Sequence, residues 1–145
     1  MSADSTAPAI GDLEVGQVVA EADYTITRDS LVRYAGASGD FNPIHYRDDI
    51  ADRVGLPGVL AHGMLTMGIA VQPVIDWLGQ GGEVLDYGVR FTRPVVVDPA
   101  IGATIAVVAK VGAIDAEAGE ARIDLTVTSH GNTVLGKAQV RVSLH

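Results

Sequence analysis

The sequence predicts an α+β fold in which a single antiparallel sheet curls around one apolar helix. Three observations point there. A period-two stretch near the start is followed by a short helical insert. Residues 62–78 form the longest apolar segment, with apolar side chains at nearly every angle around a helix. From residue 85 onward, runs of period-two alternation are separated by turn signals. At 145 residues the chain suits one domain, taken as residues 11–145, behind a loosely ordered tail over residues 1–10 that is small, polar and aperiodic.

Taken in order, residues 17–27 alternate Val18, Ala20, Ala22, Tyr24 and Ile26 with Val19, Glu21, Asp23, Thr25 and Thr27, the period of a half-buried strand. Thr27 then caps a helix over residues 28–37, with Leu31, Val32, Tyr34 and Ala35 on one side and Gly36 and Gly39 at its end. Another helical turn or two is expected over residues 48–54, broken by Gly55-Leu56-Pro57-Gly58. The helix over residues 62–78 carries Met64, Leu65, Met67, Ile69, Val71, Val74, Ile75 and Leu78, so burial on most sides is expected. Pro73 removes one of its hydrogen bonds and should bend it. Next, Leu85, Tyr87, Val89 and Phe91 share one face of a strand. Residues 104–114 are apolar on both faces, as in a central strand. Ile123, Leu125 and Val127 alternate after a turn at residues 115–119, and Gly131-Asn132 makes a second hairpin turn. The last strand places Val134, Gly136, Ala138, Val140, Val142 and Leu144 on one face. A meander of this kind wrapped around one helix is the hot-dog fold.

Composition narrows the functions. Eighteen acidic against ten basic residues give a formal charge of −8 with no basic run, which argues against nucleic acid. Cysteine is absent, so there is neither a disulfide framework nor a thiolate nucleophile. Together with the lack of a signal-peptide pattern this suggests the cytoplasm. The apolar run is interrupted by Gln72, Pro73 and Asp76 and is too short to span a bilayer. His45 and His62 lack helical ligand spacing, and no zinc, calcium, P-loop or dinucleotide pattern is present, so neither a metal nor a cofactor is expected.

The chemistry concentrates in Ser38-Gly39-Asp40-Phe41-Asn42-Pro43-Ile44-His45. Asn-Pro reads as a turn, and proline stiffens it by fixing its own φ and restricting Asn42. The loop therefore holds a carboxylate and an imidazole close together, which suits general acid–base catalysis. An Asx turn with a surface histidine would give the same spacing. Downstream, Ala61-His62-Gly63-Met64-Leu65 opens the apolar helix, and a helix start is a candidate anion or oxyanion site.

Gly39-Asp40-Phe41-Asn42-Pro43-Ile44-His45, the approach Tyr34-Ala35-Gly36 and the helix start at Ala61 together resemble the MaoC-like family of (R)-specific enoyl-CoA hydratases and 3-hydroxyacyl thioester dehydratases. The likeness runs from about residue 15 to the C-terminus and is most specific between Tyr34 and Gly68. Within the family it is nearest to the catalytic B-subunit branch of the mycolic-acid-type (3R)-hydroxyacyl-ACP dehydratases, through the run from Ala61 to Gly68 and the Val89-Arg90-Phe91-Thr92 strand. The resemblance implies reversible syn addition of water across a trans-2-enoyl thioester of CoA or acyl carrier protein, with Asp40 and His45 as the reacting pair. Asn42 matches the family's loop asparagine and fixes the loop or the water, or is purely structural. Gly63 N–H is the first candidate donor to the thioester oxygen and Met64 N–H the second. His62 is expected to cap or brace the helix start. Arg90 and Arg93 either meet CoA or carrier phosphates or are solvated strand-face side chains.

The sequence departs from the family at Val71 and Gln72, where single-subunit bacterial members place a Ser-Gly pair; acyl-chain preference is therefore open. A homodimer is the expected assembly, and a heterodimer with a related hot-dog subunit is the alternative. The competing functions are a hot-dog acyl thioesterase and a non-catalytic partner subunit. The loop that pairs Asp40 with His45 favours the hydratase over both.

Overall fold

The structure is a computed structural model that describes residues 9–145. Of the expected N-terminal tail, residues 1–8 lie outside the described residues, while Ile10 opens a 3-10 turn, Ile10–Asp12, and packs against the core.

One five-stranded antiparallel sheet, in the order β1-β3-β4-β5-β2, carries the fold. β1 is Val18–Ile26, β2 Gly82–Phe91, β3 Ala103–Asp115, β4 Glu120–Ser129 and β5 Asn132–Leu144. Alternation is clearest in the central strands: Ile105, Val107, Ala109 and Val111 of β3 are buried, as are Ile123, Leu125 and Val127 of β4. Together with Val140, Val142 and Leu144 of β5, they form the inner face of one hydrophobic cluster. Helix α1, Arg28–Ser38, starts with a reciprocal capping box between Thr27 and Ser30. It buries Leu31 and Ala35, but Val32, expected on the same side, is 60% exposed. α2 is Asp48–Arg53. Arg28 ties the starts of these two helices together, since its guanidinium holds Asp48 at 2.9 Å and its Nε donates to Val97 O at 2.7 Å.

The apolar segment over residues 62–78 is two helices, α3 Gly63–Ala70 and α4 Gln72–Leu78, joined at Val71. Pro73 accounts for the break, because a continuous helix would need its missing N–H for Ile69 O. The Val71 N–H turns to Ile69 O instead. The Met67 carbonyl that this leaves free accepts the Tyr87 hydroxyl at 2.8 Å. Burial on most sides is not found: Thr66, Ala70, Val71, Val74 and Leu78 are buried, while Met64 is 59% and Ile75 44% exposed.

Two corrections fall at the end of the sheet. The hairpin turn is His130-Gly131 and not Gly131-Asn132; both residues have positive φ, 52° and 75°, as a type I′ turn requires, and Ser129 pairs with Asn132. β5 also bulges at Gly136-Lys137, where Lys137 has φ 44°. The extra residue brings Leu135 into the core and takes Gly136 out of the inward series. Among the described residues no helix is long and apolar enough to cross a membrane.

Candidate active site

The loop between α1 and α2 is built from its own side chains. Gly39 ends α1 in the left-handed region at φ 78°, a conformation that a side chain would disfavour. Asp40 Oδ1 accepts Asn42 N–H at 3.1 Å, and Asn42 Oδ1 accepts Ile44 N–H at 3.2 Å. Asn42 thereby caps a 3-10 turn, Pro43–His45, with proline at its start. These bonds use one oxygen of Asp40 and leave Oδ2 free for the site.

Oδ2 lies 3.9 Å from His45 Nε2. The other ring nitrogen, Nδ1, is 2.7 Å from Leu60 O. A carbonyl can only accept, so Nδ1 carries a proton, and in the uncharged ring this tautomer presents a bare Nε2 toward Asp40. The side chain of His45 is 10% exposed and that of Asp40 52%. The pair thus has a sheltered imidazole and a solvent-facing carboxylate.

His62 lies beneath this pair. Its ring stacks on His45 with centroids 3.9 Å apart and meets Tyr34 edge-on at 4.7 Å. It is the N-cap residue of α3 but does not cap that helix; its Nε2 donates to Asp40 O at 3.1 Å. Burial pushes its pKa below 6.5. Asp40, His45 and His62 have the composition of a three-ligand cation site, with ligand atoms within 4.8 Å of one another. Their hydrogen bonds already use His45 Nδ1 and His62 Nε2, which leaves His45 Nε2 facing the Asp40 carboxylate and His62 Nδ1 buried without a partner.

Gly63 opens α3, and neither its N–H nor that of Met64 has an acceptor among the described residues. Gly63 and His45 line the same cavity of 310 Å³, with Thr66, Phe91, Arg93 and Leu135 around them. The ring of Phe91 lies so close over Gly63 that a Cβ there would stand 3.0 Å from it. Met64 faces a separate cleft of 200 Å³ with Tyr24, Tyr34, Leu65, Gly68 and Gln72. The two arginines also separate. Arg93 lines the cavity of His45 and Gly63, whereas Arg90 lines a different hollow with Asp86, Lys137 and Gln139.

The structure therefore gathers Asp40, His45, Gly63 and Arg93 in one region; Met64 lines a separate cleft while its N–H follows that of Gly63 at the start of α3, and Arg90 lines another hollow. Asn42 stands in the loop itself. Three participants escaped the sequence reading. Leu60 acts through its carbonyl, which no side-chain pattern reveals. Thr66 is buried in the first half of the apolar run, 2% exposed, and its hydroxyl was the polar signal within Gly63–Ala70. Phe91 was expected to share one face of a strand with Leu85, Tyr87 and Val89, but its position over Gly63 depends on how β2 meets α3.

Compared with known proteins, a sequence model described as MaoC like domain matches residues 12–129. The 3-hydroxyacyl-thioester dehydratase X of Mycobacterium tuberculosis is 38% identical over 81 residues, which cover 56% of this chain and 28% of that protein. The (R)-specific enoyl-CoA hydratase of Rhodospirillum rubrum is 31% identical over 97 residues, 66% of this chain and 67% of the hydratase. A solved MaoC-like dehydratase superposes with a TM-score of 0.90 at 34% identity, covering 96% of this chain and 43% of that one. The chain thus spans well under two thirds of the first relative and of this solved structure.

Proposed function

The chain belongs to the MaoC-like domain family, and from that premise we propose that it is a hydro-lyase that adds water to trans-2-enoyl thioesters and removes it from (3R)-hydroxyacyl thioesters. The observation that carries this reading is the bare Nε2 of His45 facing Asp40 Oδ2 at 3.9 Å. Both atoms are acceptors. One water donating to both would sit about 2.8 Å from each, an ordinary hydrogen-bond length.

In hydration one of the pair takes a proton from that water as the oxygen bonds to the β carbon. The alkene electrons move toward the thioester carbonyl, and the Gly63 N–H meets the charge that develops on its oxygen. The proton is returned to the α carbon from the same face, so that H and OH are added syn and nothing else is consumed. Dehydration runs the same steps backwards. Neither a metal nor an organic cofactor is needed to balance the reaction. Lining the cavity of His45 favours Arg93 as the contact to a phosphate of CoA or of a carrier-protein arm over Arg90, which lines a different hollow. The enzyme acts as a homodimer in the cytoplasm, with a related hot-dog subunit as the alternative partner.

Loss of the enoyl absorbance of crotonyl-CoA tests the proposal. Wild type should consume the chromophore without releasing thiol, and Asp40→Asn and His45→Gln should each lower kcat by about 10²–10⁴-fold, the range for a positioned acid or base. Thiol release without hydration would instead favour a thioesterase. Variants as active as wild type would reject the site.

A further inference from the structure

We infer that His62 is a positioning residue that ties the peptide of Asp40 to the start of α3 and supports the ring of His45, so that acid, base and Gly63 move as one body. The inference rests on the reading of Asp40 and His45 as the reacting pair. His62 is 1% exposed, and the side chain is not used as a helix cap. Because Asp40 O cannot donate, the proton is on Nε2 and Nδ1 is a bare acceptor. That Nδ1 is buried and has no partner. An unmatched buried nitrogen is destabilising, and an apolar side chain of similar size would avoid the penalty. Stability alone therefore does not explain a histidine here.

Its contacts do. Residues 38–42 are held by short local bonds: Gly39 N–H to Ala35 O, Asp40 N–H to Ser38 Oγ, and Asn42 N–H to Asp40 Oδ1. Among the described residues, the bond from His62 is the only hydrogen bond joining this stretch to a distant part of the chain, 22 residues away. The same ring underlies His45 and is braced by Tyr34 of α1. Three segments meet on it, and the next residue is Gly63. Losing the tie would leave the loop folded locally but free to shift against the oxyanion donor.

Two variants separate this role from packing. His62→Gln places an amide donor where Nε2 stands, and His62→Met has similar length and no donor. With crotonyl-CoA, His62→Met should lose about 100-fold in kcat, as an ångström-scale misplacement does, with KM changed by less than about threefold, while His62→Gln stays within about fivefold of wild type. Amide hydrogen exchange of the peptide spanning residues 38–46 should quicken in His62→Met and not in His62→Gln, with β3 and β4 unchanged in both. Equal impairment of the two variants, wild-type kcat in His62→Met, or loss of protection throughout the sheet would each overturn the inference. The exchange arm does not depend on turnover, so a wild type without hydratase activity would refute the functional reading and leave the positioning role to be judged separately.

Discussion

Two imidazoles in stacked contact differ in which nitrogen carries the proton because each faces a different backbone carbonyl. Leu60 O holds the proton of His45 on Nδ1 and bares Nε2 to Asp40; Asp40 O holds the proton of His62 on Nε2. Burial lowers the pKa of His62 beneath 6.5 and keeps it neutral beside His45. This has a consequence for stability. Below 6.5 the unfolded chain takes up a proton at His62 that the folded protein does not, so stability is complete above that pH and declines as pH falls toward the depressed folded value. Thermal melts from neutrality down to about pH 5 should show this decline, and His62→Gln should flatten it. An equally steep decline in the variant would show that another group is responsible. Asp48, Asp49 and Asp98, held below 3.8 by Arg28, by Arg47 and by backbone N–H groups respectively, act in a separate window: their contribution is present above 3.8 and is lost below it. The loop chemistry of Asp40, Asn42 and Pro43 could be read from the sequence because its bonds span only two residues. The bond that fixes the tautomer of His45 spans 15 residues and ends on a carbonyl, so no residue type announced it.

Among the elements, the break between α3 and α4 shows how one missing N–H is accommodated. Pro73 stops the ladder, Val71 N–H shifts to Ile69 O, and the Tyr87 hydroxyl of β2 satisfies Met67 O. Burial raises the Tyr87 pKa to about 12, so the hydroxyl remains a donor at any physiological pH. Tyr87→Phe should leave Met67 O unpaired and lower unfolding free energy by about 1 kcal/mol in urea titration. An unchanged midpoint would mean that another donor reaches the carbonyl. The sequence foretold a bend at Pro73 but not a complete break, since the carbonyl that the break frees is satisfied by a tyrosine of β2, 20 residues beyond Met67. Strand positions were legible from alternation alone. The bulge in β5 was not, because period-two reading assigned Gly136 inward, and only pairing with both neighbouring strands shows the extra residue at Lys137. The same limit applies to Arg90 and Arg93: their spacing gave no hint that one faces the cavity of His45 and the other a different hollow.

For the whole molecule, the main question is what covers β2. It is an edge strand, paired only with β5, and Val84, Leu85 and Phe91 are 37%, 38% and 56% exposed. An apolar edge left open is prone to pairing, and a second copy docked there is our proposal. Wild type should sediment as a dimer, and Val84→Lys combined with Leu85→Lys should sediment as a monomer; a monomeric wild type would send the search to a second hot-dog subunit. Phe91 ends β2 over Gly63, so whatever pairs with this edge also approaches the site. Crotonyl-CoA incubated with the protein in D₂O should yield (3R)-hydroxybutyryl-CoA with one deuterium at the α carbon, added on the same face as the hydroxyl. Free CoA with no hydroxyacyl product, or the (3S) alcohol, would contradict the assignment of Asp40 and His45 as the pair that holds and splits the water.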